Sequence, residues 1–443
     1  MITFSGKDVV VVGMAKSGLA AVELLRKQGA RVRAVDERFA AQLGSAGERL
    51  EALGVALLPQ KPESLAGADL IVISPGVPAD LEDLTRPREA GVPVIGEVEL
   101  ASYFLQGPVI GITGANGKTT TTAMTGHILR QSGIAVQVGG NIGTPLTAMI
   151  DSSKAGQWNV IELSSFQLET ISRFRANIAV ALNVTPDHLD RHHTFENYVA
   201  AKRRLFETQQ AGDFAVLNAD DASCVGYAQA TAADILWFSV ARPVTPGVYL
   251  GNGKLYFDEL ELLPISDIPL KGIHNVENTM AAAAAARLAG ASLSRIAAAI
   301  RTFPGVEHRL EFVRERQGVS YYNDSKATNV DAAQKAIDAF AGGLWIILGG
   351  KDKNSDYTVL RDSLRRKSRG ILLIGAAAPK IASQLGDGLP LIQAGTLEAA
   401  VETAAAQAGP GETVLLAPAC ASFDQFENFE HRGRVFKTAV MQL

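Results

Sequence analysis

The segment Ile110-Gly-Ile-Thr-Gly-Ala-Asn-Gly-Lys-Thr-Thr120 stands between an apolar strand pattern and a helical pattern running from Thr121 to Arg130. Successive backbone N–H groups followed by a helix N-terminus attract phosphate, Lys118 adds a point charge, and the Thr119 hydroxyl could ligate Mg²⁺. The strict spacing of such a loop asks for glycine at position 112, where this chain has Ile112. Gly114 and Gly117 are therefore expected to make the turn. The plain alternative is a glycine-rich strand-to-helix connection that binds nothing.

Two further segments carry groups suited to a metal-bound phosphate. Glu162 follows the strand pattern Asn159–Ile161 in Val-Ile-Glu-Leu-Ser-Ser-Phe-Gln, and His188 follows Ala179–Leu182 in Asn-Val-Thr-Pro-Asp-His-Leu-Asp-Arg-His-His. Both should emerge at the carboxyl edge of the sheet that carries the phosphate loop, where ligands bind in parallel sheets. A carboxylate and an imidazole there could complete a Mg²⁺ site. The crowding of His188, Asp190, His192 and His193 also suggests a transition-metal cluster, whereas the plainer reading leaves His192 and His193 solvated. On a helical projection, Lys202 falls inside the apolar stripe of Phe195, Tyr198, Val199, Leu205 and Phe206, while Arg204 points the opposite way. Thr194 suits the N-cap of that helix. An inward lysine either snorkels to the surface or holds a special role, and the pattern alone favours snorkelling.

A second glycine turn, Gly13-Met-Ala-Lys-Ser-Gly18, has Ala15 where a dinucleotide fingerprint has the glycine that lets the backbone approach a pyrophosphate. Asp36, ending the next strand pattern, could bind a ribose hydroxyl. A purely structural turn accounts for the same residues equally well.

The elements that must position these groups form three blocks. Strand patterns at Asp8–Val12, Arg31–Val35 and Ala68–Ser74 alternate with a helix from Leu19 to Gln28, and the first block ends near Gly96. The second opens at Pro108–Ile112, adds strands at Ala179–Leu182 and Ala215–Leu217, then short β excursions in Ala241–Pro269 and helices at Asn278–Leu288 and Ser294–Thr302. After Phe303-Pro304-Gly305, strands at Leu344–Leu348, Gly370–Ile374 and Thr413–Ala417 restart the rhythm. Such alternation is the signature of parallel α/β sheets. The chain has 443 residues, enough for about three domains. Its net charge of −4 argues against a broad nucleic-acid-binding face or a polybasic membrane contact. Two cysteines, Cys224 and Cys420, give neither a disulfide framework nor a cysteine zinc site. With no signal-peptide layout at its start and no membrane span expected, the chain is expected to be soluble and cytoplasmic.

Together these segments resemble the Mur ligase family. Asn323-Asp-Ser-Lys-Ala-Thr-Asn329, Leu348-Gly-Gly-Lys-Asp-Lys353 and Pro418-Ala-Cys-Ala-Ser-Phe-Asp-Gln-Phe-Glu-Asn-Phe-Glu-His-Arg-Gly433 look like its D-glutamate-adding members, so the match spans Gly13 to Gly433. The resemblance implies three α/β domains. Residues 1–97 would be a Rossmann-like domain holding UDP-N-acetylmuramoyl-L-alanine. Residues 98–304 would be a P-loop ATPase-like parallel-sheet domain holding ATP, and 305–443 a Rossmann-like domain holding D-glutamate. It places ATP on Gly114, Ala115, Asn116, Gly117, Lys118, Thr119, Thr120, Asn278 and Arg309, with Asp324 on the ribose. Mg²⁺ falls to Thr119, Glu162, His188 and Lys202. The family's carbamylated lysine maps onto Lys202, which reverses the snorkelling preference. Ser17, Asp36, Glu37, Ser74 and Asn141 fall at UDP-substrate positions; Lys326, Thr328, Lys353, Ser422 and Phe429 fall at D-glutamate positions. His188 or Asp187 is a candidate general base by location only.

The implied reaction activates the L-alanyl carboxylate as an acyl phosphate, which the D-glutamate amine attacks in a cytoplasmic step of peptidoglycan precursor synthesis. A monomer is expected, without nucleic-acid or integral membrane partners. The rivals are a folylpolyglutamate synthase of the same superfamily, a P-loop switch protein that makes no bond, and a nicotinamide dehydrogenase using Gly13–Gly18.

Overall fold

A computed structural model describes residues 3–443 and contains three sheets flanked by helices. The first sheet runs Leu57–Pro59, Arg31–Asp36, Asp8–Val12, Leu70–Ile73, Val94–Gly96, all parallel. Val9–Val12 are buried on both faces, as a central parallel strand requires. The helix Lys16–Lys27 begins three residues before the expected Leu19, inside the segment Gly13–Gly18.

The second sheet has nine strands, in the order Leu260–Pro264, Lys254–Phe257, Gly247–Gly251, Asp234–Ser239, Phe214–Asn218, Ile178–Ala181, Val109–Thr113, Trp158–Glu162, Val136–Gly140. The first two are joined by antiparallel pairing, the excursions expected between 241 and 269, and the other seven run parallel. Val109–Thr113 lies between Trp158–Glu162 and Ile178–Ala181, with Ile112 opposite Glu162 and Thr113 opposite Ala181. Parallel register therefore brings the segments after Thr113, Glu162 and Ala181 out at one edge.

The third sheet runs Glu311–Arg316, Val319–Asn323, Thr413–Leu416, Leu344–Gly349, Ser368–Ile374, Leu391–Gly395, with only its first pair antiparallel. The segments after Asn323, Gly349 and Leu416 share its carboxyl edge. The described chain divides into two compact units, one reaching to Asp267 and adding Val276–Phe303, the other joining Ile268–Asn275 to Pro304–Leu443. Among the described residues no helix is long and apolar enough to cross a membrane.

Candidate active site

The phosphate loop is built as its composition dictates, with one difference. Gly117 sits at φ +84°, where a Cβ would stand 2.1 Å from Asn278 Oδ1, so both conformation and space require glycine. Gly114 has no positive φ; a Cβ there would meet Leu182 Cβ at 3.0 Å, so close approach is its reason. Ile112 is fully buried inside the strand. Lys118 is the first residue of the helix Lys118–Gln131 and is half-buried, with Nζ donating to the Gly114 and Ala115 carbonyls at 2.9 Å each. Asn183 braces the loop: it accepts from the Asn116 N–H at 2.8 Å and the Ala115 N–H reaches its carbonyl at 2.8 Å. Thr119 is half-buried, Thr120 buried, and Asn278 buried beside Thr121.

Lys202 lies on the helix Phe195–Glu207, which Thr194 caps by accepting from the Asn197 N–H. It is 1% exposed, so it does not snorkel. Its Nζ donates to the same Gly114 carbonyl at 2.9 Å and stands 4.5 Å from the centre of the Tyr198 ring. Burial, and then the Lys118 charge, push its amine well below the ordinary lysine range. Two lysines, one expected at the phosphate and the other at its metal, thus converge on one carbonyl. Arg204 is half-buried and donates to the Ile171 carbonyl.

Glu162 is 2% exposed; Oε1 accepts from Asn141 Nδ2 at 2.8 Å. Asn141, expected at the UDP substrate, thus holds a candidate metal ligand. Asp187 and His188 are exposed and adjacent, His188 at φ +53° with its ring centre 4.8 Å from that of Phe166 in an edge-on arrangement. His192 is buried rather than solvated. Its Nε2 pairs with Ser165 Oγ at 2.9 Å and its Nδ1 with Glu169 at 3.2 Å, and burial together with the Arg191 charge lowers its pKa to about 4. His193 is exposed beside Asp80.

At the Gly13–Gly18 turn, the first glycine turn in chain order, Gly13 takes φ +88°, and a Cβ on Gly18 would sit 1.8 Å from the Gly13 carbonyl oxygen, the close helix–strand packing that such turns require. Asp36 is buried, and its oxygens are committed to the Met14 N–H at 2.6 Å and to Arg38. Burial opposes its charge, but these donors outweigh it and hold the carboxyl below its ordinary range. What Asp36 presents outward is the half-exposed Arg38 guanidinium, which the sequence reading missed. Ser74 Oγ donates to the Gly13 carbonyl at 2.6 Å, Ser17 is half-buried, and Glu37 is exposed beside Gln60.

In the third sheet, Asp324 is buried, and burial raises its pKa to about 7 against the Arg309 charge and the Leu310 N–H. Lys326 Nζ lies 3.8 Å from the Phe429 ring centre, and the Thr328 N–H reaches the Lys326 carbonyl. Lys351 and Ala421 exchange backbone hydrogen bonds, which sets the exposed Lys353 and the buried Ser422 on neighbouring loops. Arg432, fully buried, donates to the Ser325, Cys420 and Ala421 carbonyls and so fastens the Asp324–Thr328 loop to the Pro418–Ser422 loop. Its only sequence signal was its place in Glu-His-Arg-Gly433.

Family models match along the chain: a Mur ligase MurD-like N-terminal domain at residues 7–96, a Mur ligase middle domain at 112–286, and a Mur ligase glutamate ligase domain at 308–420. The UDP-N-acetylmuramoylalanine--D-glutamate ligase of Solibacter usitatus is 59% identical over 98% of both chains. The one from Acidobacterium capsulatum is 54% identical over 98% of this chain and 96% of its own. The chain belongs to the Mur ligase family. In fold it is similar to the UDP-N-acetylmuramate-alanine ligase MurC of Thermotoga maritima, with TM-score 0.61 at 19% identity, covering 98% of this chain and 99% of that one.

A Mur ligase uses ATP, and ATP chemistry brings Mg²⁺. The residues fit such an ion: Glu162 Oε2 is buried with no hydrogen-bond partner, an acceptor left for a cation next to the strand that feeds the phosphate loop. The transition-metal reading does not stand, because no three His, Cys, Asp or Glu side chains are gathered for it among the described residues, and His192 is occupied by Ser165 and Glu169.

Proposed function

We propose that this Mur ligase joins the amine of D-glutamate to the L-alanyl carboxylate of UDP-N-acetylmuramoyl-L-alanine, converting ATP to ADP and phosphate. The observation that carries the reading is the convergence of Lys118 and Lys202 on Gly114, in a chain similar end to end to D-glutamate ligases. The carboxylate attacks the γ-phosphorus and ADP leaves. The neutral amine of D-glutamate then attacks the acyl carbon, and phosphate departs from the tetrahedral intermediate. Lys118 and the loop N–H groups orient the γ-phosphate. Mg²⁺, when bound by Thr119, Glu162, His188 and Lys202, offsets the negative charge gathered there.

Lys202 acts as a carbamate. Burial and the Lys118 charge favour its neutral amine, the form that attacks CO₂, forms the N–C bond and releases a proton, turning a cation into a carboxylate-like ligand. Residues 1–97 hold the UDP portion around Ser17, Asp36, Glu37, Ser74 and Asn141, with Arg38 as the outward cation. Residues 98–304 hold ATP, with Asn278 beside the loop and Arg309 and Asp324 contributing from residues 305–443. D-Glutamate is held by Lys326, Thr328, Lys353, Ser422 and Phe429. Asp187 or His188 takes the amine proton. The chain works as a cytoplasmic monomer in peptidoglycan precursor synthesis. Labelling the L-alanyl carboxylate with ¹⁸O tests the route: one label should appear in the released phosphate, and unlabelled phosphate would exclude the acyl phosphate.

A further inference from the structure

Arg191 ties together three segments that the reaction uses. A single nitrogen, Nη2, donates to the Val77 carbonyl at 2.9 Å and to Glu169 Oε2 at 2.8 Å. Val77 packs on the first glycine turn: a Cβ built on Gly13 would lie 2.8 Å from Val77 Cγ2, and the Val77 N–H reaches the carbonyl of Ser74, whose hydroxyl holds Gly13. Glu169 directly follows the short helix Ser165–Leu168, in the segment that begins at Glu162. Arg191 itself lies on the short helix Leu189–His192, which directly follows Asp187 and His188. The Phe166 ring fills the space between them, with the Arg191 guanidinium carbon 5.0 Å from its centre, His188 at 4.8 Å and His192 stacked at 5.5 Å. Both charged side chains are largely buried, Arg191 at 12% exposure and Glu169 at 15%, so the pair is shielded from screening by salt.

We propose that Arg191 is a positioning residue that couples occupation of the first glycine turn to the placement of His188. A shift of the turn on binding a UDP-sugar moves Val77, and the guanidinium carries that shift to the Glu169 and His188 segments as one body. The proposal rests on the reading that the turn takes the UDP portion and the His188 loop serves the ATP phosphates. Physical contiguity does not by itself establish coupling, so the test measures coupling directly.

In the full-length protein, calorimetry gives the affinity for UDP-N-acetylmuramoyl-L-alanine with and without a non-hydrolysable ATP analogue and Mg²⁺. Wild type should bind the UDP-sugar at least about fivefold tighter with the analogue present. In Arg191→Gln that factor should fall to near one, while each ligand alone binds within about threefold of wild type. Glu169→Gln, which keeps the guanidinium but removes its charged partner, should show an intermediate factor and carries the same test if Arg191→Gln does not fold. Undiminished coupling in a folded variant, equal coupling-independent loss of both ligands, or no coupling in wild type would overturn the proposal alone. Failure of wild type to bind the UDP-sugar at all would overturn the assigned reaction and this proposal with it.

Discussion

At Lys202 an amine is buried against a phosphate-loop carbonyl with a second lysine on the same oxygen, an arrangement that disfavours a cation and suits a group that carries CO₂. Lys202→Ala should therefore lose activity by roughly a hundredfold or more, the scale of removing one electrostatic stabiliser from a transition state. Formate or acetate should restore part of it by standing where the oxygens of the proposed carbamate would lie; full activity of Lys202→Ala in bicarbonate-free buffer would contradict this. His192 gives a pH prediction. Its unfolded imidazole protonates near 6.5 and its folded one only near 4, so between those values the unfolded state binds more protons. Stability should thus fall as pH drops through that window, by at most about 3 kcal/mol. The gap in urea midpoint between wild type and His192→Gln should narrow from pH 7.5 to pH 5. A constant gap would show that burial does not hold His192 neutral.

Among the elements, the turn from Val109–Thr113 into the helix Lys118–Gln131 is the most constrained. Gly117→Ala must place a Cβ at φ +84° and against Asn278, a strain of about 1–3 kcal/mol, so ATP-analogue affinity should fall at least tenfold with the UDP-sugar affinity unchanged. Normal ATP affinity would mean that the loop relaxes without function. Much of this was legible in sequence because central parallel strands such as Val109–Thr113 and Leu344–Gly349 are apolar on both faces. Val136–Gly140, Glu311–Arg316 and Leu391–Gly395 went unread because they lie at sheet edges, where half-exposed residues weaken the pattern. The inward lysine was visible at helical spacing, but its role was not: periodicity marks a face and says nothing of the carbonyl waiting there. Arg432 was missed for the same reason, since it works through backbone carbonyls brought from elsewhere in the chain, whereas Arg38 pairs with Asp36 only two residues away.

For the whole molecule, the first and second sheets form one compact unit in which internal carboxylates do structural work. Glu99 accepts the N–H groups of Ser172, Arg173 and Phe174, and Glu97 accepts the Thr147 N–H and hydroxyl, so the helix Glu97–Ser102 is fixed to connecting segments of the second sheet. The second unit carries the loops assigned to the amino acid. The central claim is that this assembly releases phosphate only when it makes the D-glutamyl bond. The most direct measurement is phosphate release from ATP with UDP-N-acetylmuramoyl-L-alanine and a panel of D-glutamate, L-glutamate, L-alanine, L-lysine and diaminopimelate. Among the amino acids, only D-glutamate should give rapid release, matched mole for mole by the UDP-linked dipeptide. Comparable release with L-lysine or diaminopimelate, or release from ATP with no UDP-sugar present, would contradict it.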